Sequence, residues 1–528
     1  MDTFDVGALD IGILIGYLIL SRAFALWITR GGNEDSDGFF LGGRKLTWPL
    51  IGFSLFATNM SGASFVGLAG EGYNTGISVY SYEWMAAIIL IFFVLFVLPF
   101  YLRSKVYTMP EFLERRYDRR SRYVFAGLLL ILNVFLDCAA ALYAGGLVLT
   151  TIFPDWPLWG FVAMLAILSM ILSATGGLGA VVVSDTIQAV VLYIGGAIVL
   201  FAAWSAIPSW EAVREATPPD ALSIIQPLSD EALPWPGLLS GVLVIGIYFW
   251  VTNQVIVQRT LGASSVDQGR WGALFAGALK LPVLFIMILP GTMAVVLYPE
   301  LSSPDKAFPT LAFDLLPAGV RGLVLSALIA AITSSVDSIL NSASTLMTMD
   351  VIRPLRPRTS DKALVRIGRL TTVGVTAVAI LWAPQIANFP SLWQYMQSAL
   401  SYVVPPVVAV FLLGIFWPRT SATAAFAVLA AGLPLGLVFF VLVEVMGVFD
   451  IQFLYASGLS FVISLVALAI ISPLTKAPVA DKTEELIWTP DVWHAETEDL
   501  ADTPWWQNYR YQCVALALAT AIIVGAFW

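Results

Sequence analysis

Apolar positions in this chain come in blocks, not in single-residue alternation. Runs of about 20 residues, long enough to cross a bilayer as helices, recur from end to end. About fourteen candidate spans result, near residues 8–28, 48–70, 78–102, 123–151, 157–175, 179–205, 236–258, 271–298, 327–350, 365–386, 390–416, 420–446, 450–472 and 511–528. Only helices and closed barrels satisfy their backbone inside lipid, and runs of this length select helices. The pattern therefore predicts an all-α integral membrane bundle.

Two spans break the apolar rule. From Ala327 to Asp350, polar residues Ser334, Asp337, Ser338, Asn341, Thr345 and Thr348 recur at steps of three and four, which places them on one helical face. A carboxylate at mid-membrane depth costs about 2.5–3.5 kcal/mol even on the insertion scale, so this stripe is expected to face protein or water. Its hydroxyls, carbonyls and carboxylate are ligands suited to a hard cation; helix packing through small polar residues is the bland alternative. The span 48–70 crowds Thr58, Asn59, Ser61, Gly62 and Ser64 into its middle. That composition suits an unwound helix at a binding site.

Charge orients the bundle. Arg103, Lys105, Arg115, Arg116, Arg119, Arg120 and Arg122 crowd one loop, and Arg353 to Arg369 form another basic stretch. The positive-inside rule puts both in the cytoplasm. The acidic loop 206–235 then lies outside, and alternation places both termini outside. Residues 473–506, polar and acidic, are expected to be cytoplasmic and partly disordered. The first span follows MDTFDVGALD, which lacks the basic start of a signal peptide, so it reads as a retained helix.

Only 12% of residues are charged and 59% are hydrophobic, against about 25% charged in soluble domains. The net charge of −9 suggests no nucleic-acid partner. Cys138, Cys513 and the lone His494 give no disulfide framework and no zinc or haem set. Among the ionisable residues within or at the edges of spans, Glu83, Asp137, Asp185, Lys280 and Asp337 are singled out. Such residues mark pathways or sites by default, or structural interhelical hydrogen bonds. Lys280 needs a carboxylate or polar solute nearby, and Glu83 is a candidate by charge.

Residues 48–205 and 236–416 each hold five spans and each begins with a polar or Gly-interrupted helix. An odd number of spans makes the two units inverted with respect to each other, as in sodium-coupled transporters. The chain divides into an N-terminal helix and loop (1–47), a first repeat (48–205), an external loop (206–235), a second repeat (236–416), two peripheral helices (417–472), a cytoplasmic polar loop (473–510) and a final helix (511–528).

Several stretches then carry a resemblance: SLFATNMSGASFVGLAG, SYEW, YTMPEFLERRYDRR, TGGLGAVVVSDTIQ, FWVTNQVIVQRTL, the LK of ALKLPVLF, AAITSSVDSILNSASTLMTMD and YMQSALSYVVPPVVAVFLLGIFWPRT. In this order they resemble the sodium/solute symporter family, within it the sodium–glucose and sodium–galactose cotransporters. The resemblance implies a LeuT-like five-plus-five inverted repeat with broken first helices, extra helices at both ends, alternating access and Na+ as coupling ion. It implies sodium ligands at the carbonyls of Ala57, Met60 and Ala331 and the hydroxyls of Ser334 and Ser335. Asp185 matches a carboxylate linked to sodium binding, and Asp337 and Ser338 match a second sodium position of some members.

Asn59, Glu83, Lys280 and Gln397 match sugar-contacting positions, and Phe249 and Trp250 match the aromatic pair of the sugar site. Ser64 stands where relatives use Gln or His. Ala86 and Gly246 stand where the family's galactose carrier has Ser and Asn, and Phe249 where it has Tyr. The resulting expectation is a sodium-driven symporter, not an enzyme, importing a sugar or sugar-like polyol across a plasma membrane. An organic anion or amino acid is the alternative solute, and a membrane sensor or enzyme module the remote one.

Overall fold

A computed structural model describes residues 7–31, 35–153, 155–388, 392–478 and 484–528. Among these the regular structure is helical, with two isolated β-bridges, Leu46 to Ala263 and Gln226 to Pro234. Among the described residues, eleven helices are long and apolar enough to cross a membrane, or twelve with the pair Met396–Val403 and Pro405–Phe416, which is bent by 47°.

The difference from fourteen spans has two physical sources. The expected spans 157–175 and 179–205 run on as one 49-residue helix, Leu158–Ala206. At 1.5 Å per residue it would measure roughly 74 Å if straight, more than twice the hydrocarbon thickness. Its helical geometry fails at Gly177, with φ 56° and ψ −162°. The expected span 48–70 is two short helices, Trp48–Asn59 and Gly62–Asn74, each below membrane length alone. The first helix of the second unit is likewise interrupted: Trp235–Thr252 is followed, after extended Asn253 (ψ 124°), by Gln254–Leu261.

The polar-striped helix, Val320–Thr345, sits at the centre. Every residue from Val324 to Thr345 is buried, so no face meets lipid. This extends the expectation from the stripe, because polar groups off the stripe also find partners. Ser344 donates to the Gly368 carbonyl (2.8 Å), and Ser342 accepts from Asn133 (3.2 Å).

Around it pack Leu158–Ala206, the broken helices and the first helix, Ala8–Thr29. That first helix exposes Ile15, Ile19, Leu20, Phe24 and Trp27 while burying Asp10, Leu14, Ser21, Arg22 and Ala25. Its charges thus face the protein. Asp10 Oδ1 accepts from the Gly319 and Gly322 amides (2.6 and 2.8 Å), satisfying free N–H groups at the start of the central helix.

The segment expected to be a cytoplasmic and partly disordered loop carries a helix, Pro490–Asp499. Its Glu496 is buried and accepts from Arg270 (2.8 Å), Arg103 (3.1 Å) and the Tyr509 hydroxyl (2.9 Å). Acidic residues that read as a solvated tail are thus counter-charges for two basic loops. The N-terminal residues 1–6 and residues 479–483, on which parts of the terminal and loop expectations fall, lie outside the described residues.

Gly177 holds a backbone conformation that is essentially reserved for glycine. A Cβ there would sit 2.5 Å from the Phe39 carbonyl oxygen. Gly177→Ala is therefore expected to cost about 1–3 kcal/mol or more, lowering the unfolding midpoint of the detergent-solubilised protein. Gly374→Ala, whose Cβ meets nothing within 4 Å, should leave it unchanged or higher.

Candidate functional site

Both broken helices restart on a short polar cap. In the first unit Ser61 Oγ accepts from the Ser64 amide (3.0 Å), and in the second unit Asn253 Oδ1 accepts from the Val255 amide (2.8 Å).

The break at Met60 (ψ 72°) redirects hydrogen bonds. The Ser61 amide goes to the Asn59 carbonyl (2.9 Å) and the Ser64 amide to the Ser61 hydroxyl. In a continuous helix those two amides would serve the carbonyls of Ala57 and Met60. The break thus frees the two first-helix carbonyls that the resemblance names as sodium ligands. The central helix passes at the same level: Ser335 Oγ lies 3.2 Å from the Thr58 carbonyl and 3.3 Å from the Ala331 carbonyl. Ala57, Met60, Ala331, Ser334 and Ser335 are all buried.

Asp185 stands beside this group. Its Oδ1 accepts from Ser334 (2.7 Å), and its Oδ2 accepts from Ser54 (2.6 Å) and Thr58 (3.3 Å). Arg259 Nη2 lies 3.7 Å from the same carboxylate, and both side chains are fully buried. Ser338 Oγ is 3.1 Å from Thr58 Oγ1. Asp337, one turn from Ser334, makes a separate contact: its Oδ2 lies 3.5 Å from Arg22 Nη2 of the first helix. The structure therefore keeps Asp185 and Ser338 together and pairs Asp337 with a different helix.

A second group surrounds a cavity of about 1140 Å³, counted with its open mouth. Asn59, Ser64, Glu83, Phe249, Trp250 and Gln397 all line it. Phe249 and Trp250 meet edge to face, with centroids 5.6 Å apart. Ala86 and Gly246, the two positions without polar side chains, form part of the same wall, as does Asp137. Ser335 also borders the cavity, so the two groups adjoin.

Lys280 is placed behind the wall, not on it. Its fully buried ammonium donates to Glu83 Oε2 (2.6 Å) and to Asn59 Oδ1, and lies 5.5 Å from the Trp250 ring centroid. It is a positioning cation for two cavity residues. Arg22 and Arg259 are the site residues that the sequence pattern does not reveal: the first falls inside a plain apolar span and the second at the start of a cytoplasmic loop. Their signal in sequence is indirect, namely that each buried carboxylate requires a counter-charge from somewhere.

The model of the sodium:solute symporter family matches residues 39–432. The human sodium/myo-inositol cotransporter 2 is 34% identical over 530 residues, covering 91% of this chain and 78% of that protein. The sodium/glucose cotransporter of Vibrio parahaemolyticus is 36% identical over 460 residues, covering 81% and 84%. Among solved structures, a Na+-coupled sialic acid symporter in a substrate-bound outward-open state superposes with TM-score 0.77 at 23% identity, covering 90% of this chain and 99% of that one. A nucleobase-cation-symport-1 transporter superposes with TM-score 0.56 at 12% identity, covering 86% and 98%. These two likenesses speak to the fold.

The Glu83–Lys280 pair yields a test that needs no substrate. Lys280→Met leaves a buried carboxylate without its counter-charge and should cost about 3–5 kcal/mol. Adding Glu83→Gln should recover most of that loss. Thermal unfolding of the two single variants and the double variant measures the coupling; additive losses would show that the pair is not energetically linked.

Proposed function

The chain belongs to the sodium:solute symporter family, and on that premise we propose that it imports a neutral sugar or sugar-like polyol together with sodium, by alternating access. The observation that carries this reading is the Asn59–Glu83–Lys280 group at the cavity wall. Glu83 accepts hydrogen bonds from hydroxyls while its charge is balanced from behind, so a neutral polyhydroxylated solute meets acceptors without a net charge from that pair. Asn59, Ser64 and Gln397 add donors and acceptors, and the Phe249–Trp250 pair offers apolar faces for ring C–H groups. The relatives' named solutes, glucose and myo-inositol, are neutral polyols.

A second cavity, lined by Glu71, Asp230, Glu231, Glu444 and Asp450, shares Tyr82 and Gln397 with the first. Such an approach concentrates cations and disfavours organic anions. We assign this side to the exterior, because Glu496 with Arg103 and Arg270 lies among the basic loops at the other. The Asp10 contact with Gly319 joins the start of the first helix to the start of the central helix, which supports assigning that end to the exterior as well. The sodium ligands in this reading are the carbonyls of Ala57, Met60 and Ala331 and the hydroxyls of Ser334 and Ser335, in a multi-pass protein of the plasma membrane.

Uptake into proteoliposomes of glucose, galactose, myo-inositol and selected amino acids, with and without a sodium gradient, tests the reading. Sodium-dependent uptake of a polyol is expected, with a deoxy analogue discriminated by about tenfold or more, because buried polar groups would be left unpaired. Ser335→Ala should raise the half-saturating sodium concentration by about tenfold, the equivalent of about 1.4 kcal/mol. Robust amino-acid uptake without polyol uptake would overturn the solute class. An unchanged sodium dependence would overturn the ligand assignment.

A further inference from the structure

We propose that Arg22 is a built-in counter-cation for the buried Asp337 carboxylate, supplying from the protein the charge that a second bound cation would bring beside Asp185, so that this protein couples one sodium to each solute. The proposal rests on the sodium-symport reading for its consequence in transport, but its evidence is separate. Asp337 is fully buried and its carboxylate lies 3.5 Å from Arg22 Nη2, itself only slightly exposed. Among the described residues, neither Asp337 carboxylate oxygen and none of the three Arg22 guanidinium nitrogens has a hydrogen-bond partner, and all five atoms are buried. The Ser169 hydroxyl approaches the Asp337 carboxylate, and Tyr17 and Asp185 lie near the pair; none of the three is a cation. Each charge is thus the principal partner of the other.

The placement is built and not incidental. Ala8–Thr29 presents apolar residues outward and sets Arg22 on its inward face with Ser21 and Ala25. Asp10, about three turns earlier on the same helix, holds the Gly319 and Gly322 amides at 2.6 and 2.8 Å. Two polar contacts therefore fix the register of the first helix along the central helix. The remaining carboxylate of the candidate second site, Asp185, lies 3.7 Å from Arg259 Nη2. Two carboxylates face two guanidinium groups, so the four charges sum to zero. A sodium added there would have to enter a site already neutral, at the full cost of its own dehydration.

Equilibrium binding of 22Na+ to the purified full-length protein, in the absence of solute, counts the sites directly. The expected stoichiometry is one sodium per wild-type molecule and one for Arg22→Lys, which keeps the charge. Arg22→Met exposes the Asp337 carboxylate to exchangeable cations and should bind two at pH 8.5. Arg22→Met with Asp337→Asn should return to one.

Two sodium ions on the wild type, or no more sodium on a folded Arg22→Met than on the wild type, would overturn the proposal. If Arg22→Met alone fails to fold, recovery of folded protein by adding Asp337→Asn supports the charge pairing, and failure of that recovery overturns it. No sodium on the wild type with one on Arg22→Met would overturn the cage at Ser334 and Ser335 while supporting the role of Arg22. In transport, one sodium limits accumulation of a neutral solute to about 500-fold at 100 mV and a tenfold sodium gradient.

Discussion

A buried carboxylate cannot be left alone in a membrane protein, and much of this architecture follows from how Asp185 is accommodated. Its two oxygens collect Ser54 and Thr58 from the first broken helix and Ser334 from the central helix, while Arg259 arrives from Gln254–Leu261, the second half of the second broken helix. Four segments far apart in sequence meet at one point. The arrangement also conditions Ser334, the adjoining hydroxyl proposed as a sodium ligand. A serine hydroxyl has one proton to give and two lone pairs to offer. Ser334 gives its proton to Asp185, which leaves its lone pairs available to a cation.

The helix breaks supply the other half of the chemistry. Backbone carbonyls in a continuous helix are occupied, and irregular backbone is tolerated at membrane depth only where it is buried or lines a cavity. At Met60 the rerouted amides of Ser61 and Ser64 release two carbonyls beside Ser335. At Asn253 the second unit repeats the device, with a side-chain cap restarting the helix on the same cavity. Small polar residues suit both places because each serves as a cap and leaves the cavity beside it open.

How much of this was legible in the sequence depended on the kind of signal. The need of Lys280 for a partner followed from charge alone, with Glu83 a candidate that the structure places 2.6 Å away. The unwound first helix followed from the crowding of Thr58, Asn59, Ser61 and Ser64. Arg259 was hidden because the positive-inside rule assigns arginines near span ends to the cytoplasm, whereas this one folds inward to Asp185. Arg22 was hidden because hydropathy averages a single charge into an apolar run. Glu496 read as part of a solvated acidic tail, yet its partners Arg103 and Arg270 lie more than 200 residues away in sequence, beyond the reach of any local pattern.

The two halves of the site are joined by three consecutive residues. The Thr58 carbonyl meets Ser335 on the side proposed for the ion, the Asn59 side chain meets Lys280 beside Glu83 on the side proposed for the solute, and Met60 makes the turn between the half-helices. An ion drawing on the carbonyls of this turn fixes its backbone, and fixing the backbone sets the direction of the Asn59 side chain. A solute hydrogen-bonded to Asn59 and Glu83 holds the same turn from the other side. Each ligand thereby reduces the ordering that the other must accomplish, which is positive coupling in thermodynamic terms. Because Ser335 borders the cavity itself, the two ligands share a wall and the coupling needs no long-range path through the bundle.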